Sequence, residues 1–432
     1  MSTTAETQKS SAHDHATERV PEREKKGIFE VAIVTAGFCI CMSGLFTGAS
    51  IAIGLNFRQA IIAGIIGNLI LSVYGGAVGM AGAKEGVSTS LLARQGFGRE
   101  GSKVVSMVLA LTMLGWFSVQ VGFFGDTISA MFPNGGFFAT KYVAAFWGGI
   151  LMLLTAYYGF KGISVLSKIA VPAIAILSII GIFAAVNTVG GWNSITAVKP
   201  AQNISLGSGI VMVVGSFAAG ASAQADITRY AKSPRVSWIA TIIGYMIANL
   251  FIIMAGYITS LATGLGDLPS AMLQLGLGIP ALIVLIAAQW TTNDNNLYTS
   301  SLGLANIINV DRSKIVLVTG VLATLVGVAG LSNYFESWLV ILGIGVPPMA
   351  GIILADYFFI SGQKYSYGKG TEYAKWNLNA FISWIIACVV GYFVTWGIGS
   401  LNSLIVGLVL YIILMKVNKD KAMIGKYIEE KF

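Results

Sequence analysis

Apolar residues run along this chain in blocks of about twenty, divided by short polar connections. The blocks lie near 28–50, 58–81, 104–126, 140–160, 163–187, 206–226, 236–262, 279–300, 314–331, 335–358, 377–396 and 399–416. At about 1.5 Å per residue, twenty helical residues cross a hydrocarbon core of about 30 Å. The pattern therefore predicts an all-α membrane protein with twelve transmembrane helices. The stretch 376–415 carries no charge and is long enough for two spans, and Gly397-Ile398-Gly399-Ser400 turns it into a tight hairpin. Residues 1–27 are polar and mixed in charge, and 417–432 form a second polar tail. A signal peptide would instead need a basic start followed by a short apolar run.

Composition agrees with this reading. Hydrophobic residues make up 55% and charged residues 11%, against about 25% charged in a soluble protein. No polar shell can be built from that stock, so lipid must serve as part of the solvent. The charges give orientation. With both termini and the even-numbered connections on one side, every Lys and Arg falls on that side except Arg58, Lys141 and Lys199. The positive-inside rule then places both termini in the cytoplasm of a cell-membrane protein. The same bias explains the net charge of +8 without a nucleic-acid partner, which would need aromatics and a polar fold around the basic patch. The two histidines, His13 and His15, lie in the tail, and Cys39, Cys41 and Cys388 lie in apolar stretches. No CxxC or HxxxH spacing exists, so zinc, thiol–His and Ser–His–Asp chemistry lack their parts. The chain is read as no enzyme, with no cofactor and no obligate protein partner.

Four segments carry more than spanning requires. The first span holds Thr35-Ala36-Gly37-Phe38, Ser43-Gly44 and Thr47-Gly48. Small residues allow close helix packing; they also allow an unwound turn whose carbonyls bind a cation. The sixth span reads Val214-Gly215-Ser216-Phe217-Ala218-Ala219-Gly220-Ala221-Ser222. This predicts a helix broken over Gly215–Ala221, with backbone groups that lipid cannot satisfy. Phe217 would then offer a flat face to a planar solute. The competing reading is a glycine packing face with a core Phe. The eighth span ends Ala288-Gln289-Trp290-Thr291-Thr292-Asn293-Asp294-Asn295-Asn296. Six polar residues in a row are costly at membrane depth unless they work, and neutral hydroxyls and carbonyls suit Na⁺. The alternative is the start of a cytoplasmic loop, although 297–308 is again mostly apolar or small. In the third span Trp116 and Gln120 share a helix face. That sets an aromatic plate beside an amide, where an interfacial Trp would be the ordinary alternative.

These residues resemble the nucleobase:cation symporter family, of the purine/cytosine permease type, with its hydantoin and allantoin transporters. The shared stretches are Ser88–Phe97, Val171-Pro172-Ala173-Ile174-Ala175, Val214–Phe217, Trp290–Asn295, Val346-Pro347-Pro348 and Ala355-Asp356-Tyr357. They run in order between Lys26 and Tyr357, and the Trp-Thr-Thr-Asn-Asp-Asn run is the specific one. The resemblance implies a LeuT-type fold. It would comprise inverted five-helix repeats over 28–187 and 206–358, two further helices over 377–416, and discontinuous helices one and six. It implies a ring held between Trp116 and Phe217, with contacts from Gln120, Gly215, Ser216, Asn293 and backbone near Ala219. It also implies a Na⁺ site built from the carbonyls of Gly37, Ile40 and Ala288 and the hydroxyls of Thr291 and Thr292. Two positions depart from the pattern of cytosine permeases. Ala219 stands where a hydroxyl is expected, and Gln120 where a small residue is expected; a Gln four residues after the Trp resembles the hydantoin-type members.

The expected function is import of a nucleobase, cytosine or a related ring, by cation symport with Na⁺. The alternatives are a hydantoin- or allantoin-like substrate, or H⁺ coupling at Asp294, which could equally make only local bonds. Asp226 and Arg229 could latch the inner end of span six or be solvated loop charges. An amino-acid substrate would want an Arg facing the site or free helix N-termini; no buried Arg is expected, though the amides of a broken helix could serve.

Overall fold

The computed structural model describes residues 18–418 except 159, 309 and 368–372. His13, His15, Lys369 and the chain beyond 418 lie outside the described residues. The described chain is helical, with one isolated β-bridge between Lys26 and Ala231.

The helices are α1 (Ile28–Cys39), α2 (Met42–Ala52), α3 (Phe57–Glu85), α4 (Thr89–Phe97), α5 (Gly101–Met131), α6 (Lys141–Tyr158), α7 (Phe160–Thr188) and α8 (Trp192–Ala197). They continue with α9 (Leu206–Ser222), α10 (Ala225–Thr228), α11 (Pro234–Ile242), α12 (Leu250–Thr263) and α13 (Leu268–Gln274). The last are α14 (Gly278–Ile308), α15 (Arg312–Val328), α16 (Phe335–Gly345), α17 (Pro347–Ala355), α18 (Leu378–Phe393) and α19 (Gly399–Val417). A π-turn, Ile243–Asn249, joins α11 to α12 without interrupting the rod. Among the described residues, 7 helical segments are long and apolar enough to cross a membrane, or 8 if the bent α1–α2 pair is one span. The other apolar blocks also fall on helices; α15 has 17 residues and α18 has 16.

The local signals are ordinary ones. Asn56 and Gln59 form a capping box at the start of α3, each side chain accepting from the other's backbone N–H at 2.9 and 3.1 Å. Gly86 ends α3 at φ 67°, a left-handed cap that glycine adopts without penalty. Pro234 opens α11, where its missing N–H costs nothing.

Two groups of helices pack side by side. In one, α2 lies on α12, and α3 on α9 and α11. In the other, α5 contacts α6, α14 and α15. Helix α16 bridges them through α9, while α17, α18 and α19 form a flank. That flank is tied down by Asp356, whose carboxyl accepts from Tyr411, Tyr365 and Ser361 hydroxyls at 2.6, 2.7 and 2.9 Å.

The glycine segment of α9 departs from expectation. The helix runs unbroken through Gly215–Ala221 to Ser222, and the chain leaves helical geometry only at Ala223–Gln224. A Cβ on Gly215 would overlap the Leu339 carbonyl of α16. Reciprocally, a Cβ on Gly343 would meet the Val211 carbonyl of α9. The glycines therefore serve close backbone approach, which small residues permit in membrane helices.

Candidate solute and cation site

Trp116 and Gln120 stand one turn apart on α5, and both are buried. The Trp116 ring meets Phe335 edge-on at 5.9 Å and Trp338 at 6.4 Å. Phe217, on α9, is buried in the same hydrophobic cluster as Trp116 and Phe335. Helix α16 reaches both helices: Leu339 backs Gly215 of α9, and Phe335, one turn earlier, meets Trp116 of α5.

The polar groups sort into occupied and free. Ser216 Oγ donates to Val213 O at 2.7 Å, so its proton is used within α9 while its lone pairs remain. Asn293 Nδ2 donates to Phe117 O at 3.2 Å, which ties α14 to α5. The Ala219 carbonyl takes the Ala223 N–H at 2.9 Å. Gln120 differs: it is 1% exposed, and neither Nε2 nor Oε1 has a hydrogen-bond partner among the described residues. Buried amides are normally paired, and leaving one unpaired costs about 1–3 kcal/mol. An amide with both ends free beside an aromatic plate matches a planar ring that offers a donor and an acceptor on one edge.

The five candidate cation oxygens fall on two elements. Helix one breaks between α1 and α2 with a bend of 50°. There Cys41 N–H bonds Cys39 O at 3.0 Å, so Gly37 O loses the donor an unbroken ladder would supply. Gly44 N–H bonds Cys41 O at 3.2 Å, which does the same to Ile40 O. On α14 the hydroxyls of Thr291 and Thr292 both donate to Ala288 O, at 3.1 and 2.8 Å, gathering three oxygens within one turn. Helix α14 packs against α2. All five are neutral, hard oxygens, the donor type that alkali and alkaline-earth cations take. Among the described residues no cluster of His, Cys, Asp and Glu could hold a metal.

Asp294 makes a local bond: it accepts from Thr155 Oγ at 2.8 Å, and Thr155 accepts from Trp290 Nε1 at 2.9 Å. Asp226 accepts the Thr89 N–H at the start of α4 at 2.8 Å. Arg229 is only 5% exposed, with its guanidinium 5.1 Å over the Tyr230 ring, so it is not a solvated loop charge.

Residues 19–414 match the family described as permease for cytosine/purines, uracil, thiamine and allantoin. The chain belongs to that family. Cytosine permease of Escherichia coli (strain K12) is 33% identical over 395 residues, covering 91% of this chain and 92% of the relative. A purine-uracil permease of Arabidopsis thaliana is 22% identical over 365 residues, covering 74% of this chain and 59% of the relative. Among solved structures, Mhp1 in an inward-facing conformation superposes with a TM-score of 0.84 at 19% identity, covering 94% of each chain. Mhp1, a nucleobase-cation-symport-1 family transporter, in a closed conformation with bromovinylhydantoin bound gives 0.77 at 20% identity, covering 96% of this chain and 97% of Mhp1. The protein is thus a multi-pass membrane permease with the LeuT-type fold of Mhp1, and its relatives are permeases, not enzymes.

This permease holds a cavity of about 390 Å³ whose lining includes Asp126, Lys141 and Glu336 together with Phe46, Phe123 and Phe335. Lys141 bonds Asp126 at 2.8 Å and Asn333 at 3.0 Å. Phe46 of α2 stacks on Phe123 of α5 at 3.6 Å, and Phe123 meets Phe335 at 5.1 Å. The Phe335 ring therefore lines the cavity and also meets Trp116. Sequence reasoning missed Phe335, Trp338 and Tyr245. The first two stand at an i, i+3 spacing at the head of an apolar span, an aromatic signal that also fits lipid contact. Tyr245 lies in a π-turn, which breaks the 3.6-residue period that would have revealed its face.

Proposed function

We propose that this permease is a secondary active symporter that imports a planar, lactam-containing heterocycle of the nucleobase or hydantoin type together with Na⁺. The unpartnered Gln120 amide one turn from Trp116 carries this reading. The ring lies between Trp116 and Phe217, its edge read by Gln120, with Ser216 and Asn293 as further acceptors and backbone at Gly215 and Ala219 closing the floor. Support comes from the family, from the cytosine permease relative, and from Mhp1 with its bound bromovinylhydantoin. Gln120 and the absence of a hydroxyl at Ala219 favour a hydantoin-like or broader ring over cytosine alone.

Na⁺ sits between Gly37 O, Ile40 O, Ala288 O and the hydroxyls of Thr291 and Thr292. It joins the helix-one break to α14 and so favours the state that accepts solute; the affinity gain is reciprocal. Neutral oxygens favour Na⁺ over a proton relay, and Asp294, engaged by Thr155, remains the place where H⁺ coupling would act. Twelve spans arranged as a 5+5 inverted repeat plus α18 and α19, with both termini cytoplasmic, complete the reading. Lys141 then lies outside, and the cavity that Phe335 lines is the entry vestibule.

The test is a thermal-shift panel of the purified permease with cytosine, uracil, purines, hydantoin, allantoin and amino acids, each with and without NaCl at constant ionic strength. A ligand that binds the native state raises the midpoint. A nucleobase or hydantoin should raise it, more so with Na⁺, and Thr292→Ala should remove the Na⁺ increment. A response to amino acids alone would refute the solute class. An undiminished Na⁺ increment in Thr292→Ala would refute the ion site.

A further inference from the structure

Phe217 is in contact with two further aromatic rings. Phe38 stands perpendicular to it at 5.4 Å, and Tyr245 meets it at 5.8 Å with an interplanar angle of 65°. Each of the two is anchored at a break in the fold. Phe38 lies between Gly37 and Ile40, the two residues whose carbonyls lose their ladder donors. Tyr245 is fully buried, and its hydroxyl donates at 3.0 Å to Gln224 Oε1, within the interruption between α9 and α10. The π-turn that carries Tyr245 also presses on helix one: a Cβ on Gly244 would meet Thr35 Cγ2 and lie 3.5 Å from Cys39 Sγ. Single-turn π segments recur at functional sites. Here the segment brings one ring against Phe217, the helix-one break and the helix-six interruption together.

We propose that Phe38 and Tyr245 are positioning residues that set the orientation of Phe217 and transmit to it the conformation of the helix-one break. A cation held by the carbonyls on either side of Phe38 fixes that ring. The fixed ring and Tyr245, both in contact with Phe217, together set its orientation toward the solute. The solute touches neither residue. This inference rests on the reading above that Phe217 is a solute plate and that the helix-one carbonyls hold Na⁺.

The experiment measures the Kd of cytosine and of hydantoin for the full-length permease by titration calorimetry, in NaCl and in choline chloride at equal ionic strength. The ratio of the two Kd values is the ion–solute coupling. The wild type should show a ratio of about tenfold or more, within the usual range of allosteric couplings. Phe38→Ala should cut that ratio to below threefold, and Phe38→Tyr should restore it. Tyr245→Phe keeps the ring and loses only the bond to Gln224. It should also reduce the ratio, while its Kd without Na⁺ stays within twofold of wild type. If both variants keep the wild-type ratio, the inference is overturned and the ion reading stands. Equal loss of affinity with and without Na⁺ would make the two rings plain structural supports, which also overturns it. If the wild type shows no response to Na⁺, the ion reading itself falls and takes the inference with it.

Discussion

Replacing Gln120 by leucine separates a solute contact from a structural residue by the sign of two effects. Leucine fills most of the same space and removes both polar ends. Those ends have no hydrogen-bond partner among the described residues, at a site 1% exposed to solvent. An unsatisfied buried amide costs about 1–3 kcal/mol, so Gln120→Leu should hold or raise the thermal midpoint of the empty protein. In the complex the same change removes two neutral hydrogen bonds, each worth about 0.5–1.5 kcal/mol net. Together that is about 1–3 kcal/mol, or a Kd weakened about 5- to 150-fold. The assay pairs the unfolding midpoint of the ligand-free protein in detergent with the Kd of the best ring from the solute panel. A midpoint lowered by several degrees together with a Kd within twofold of wild type would refute the reasoning. That outcome would mean Gln120 is a structural amide, held by water or by side chains that shift to meet it.

Two further perturbations test the plates and the packing. Trp116→Ala and Phe217→Ala should each weaken ring binding about 5- to 150-fold in the same titration, because base–aromatic stacking contributes about 1–3 kcal/mol; retained affinity in both would remove the stacking arrangement. Gly215→Ala should destabilise the permease by about 1–3 kcal/mol, since its methyl overlaps the Leu339 carbonyl. Gly37→Ala, with nothing within 4 Å of the added methyl and at a helical position, should raise the unfolding midpoint slightly, by about 0.4–1 kcal/mol of stability.

The positions of the helices were legible because burial in lipid demands long uninterrupted apolar blocks, and the twelve blocks all fall on helices. The helix-one break was legible only as one of two readings of Thr35-Ala36-Gly37-Phe38. Small residues permit a break or a close contact, and the choice depends on what lies opposite. The same ambiguity in span six came out the other way for Gly215, because Leu339 lies opposite. That partner stands more than a hundred residues away in sequence, and no local pattern announces it. Trp116 and Gln120 were visible as a pair because an i, i+4 spacing is local. Phe335 and Trp338, which complete the cage around Trp116, were hidden because they reach it only through the packing of α16.

The close approach of α9 and α16 bears on how such a permease could alternate between states. At Gly215–Leu339 and Gly343–Val211 the backbones of α9 and α16 approach directly, so these contacts depend little on side-chain rotamers. Parting them would open a void at a contact packed to interior density, which is costly. The contact between α16 and α5 is of another kind. Phe335 and Trp338 meet Trp116 edge-on through side chains, at 5.9 and 6.4 Å, and rings in that geometry can slide and turn while staying in contact. Helices α9 and α16 should therefore move as one body, carrying Phe217 with them. The opening that admits a solute should form along the α5 face, between Trp116 and Phe335, beside the cavity that Phe46, Phe123 and Phe335 line.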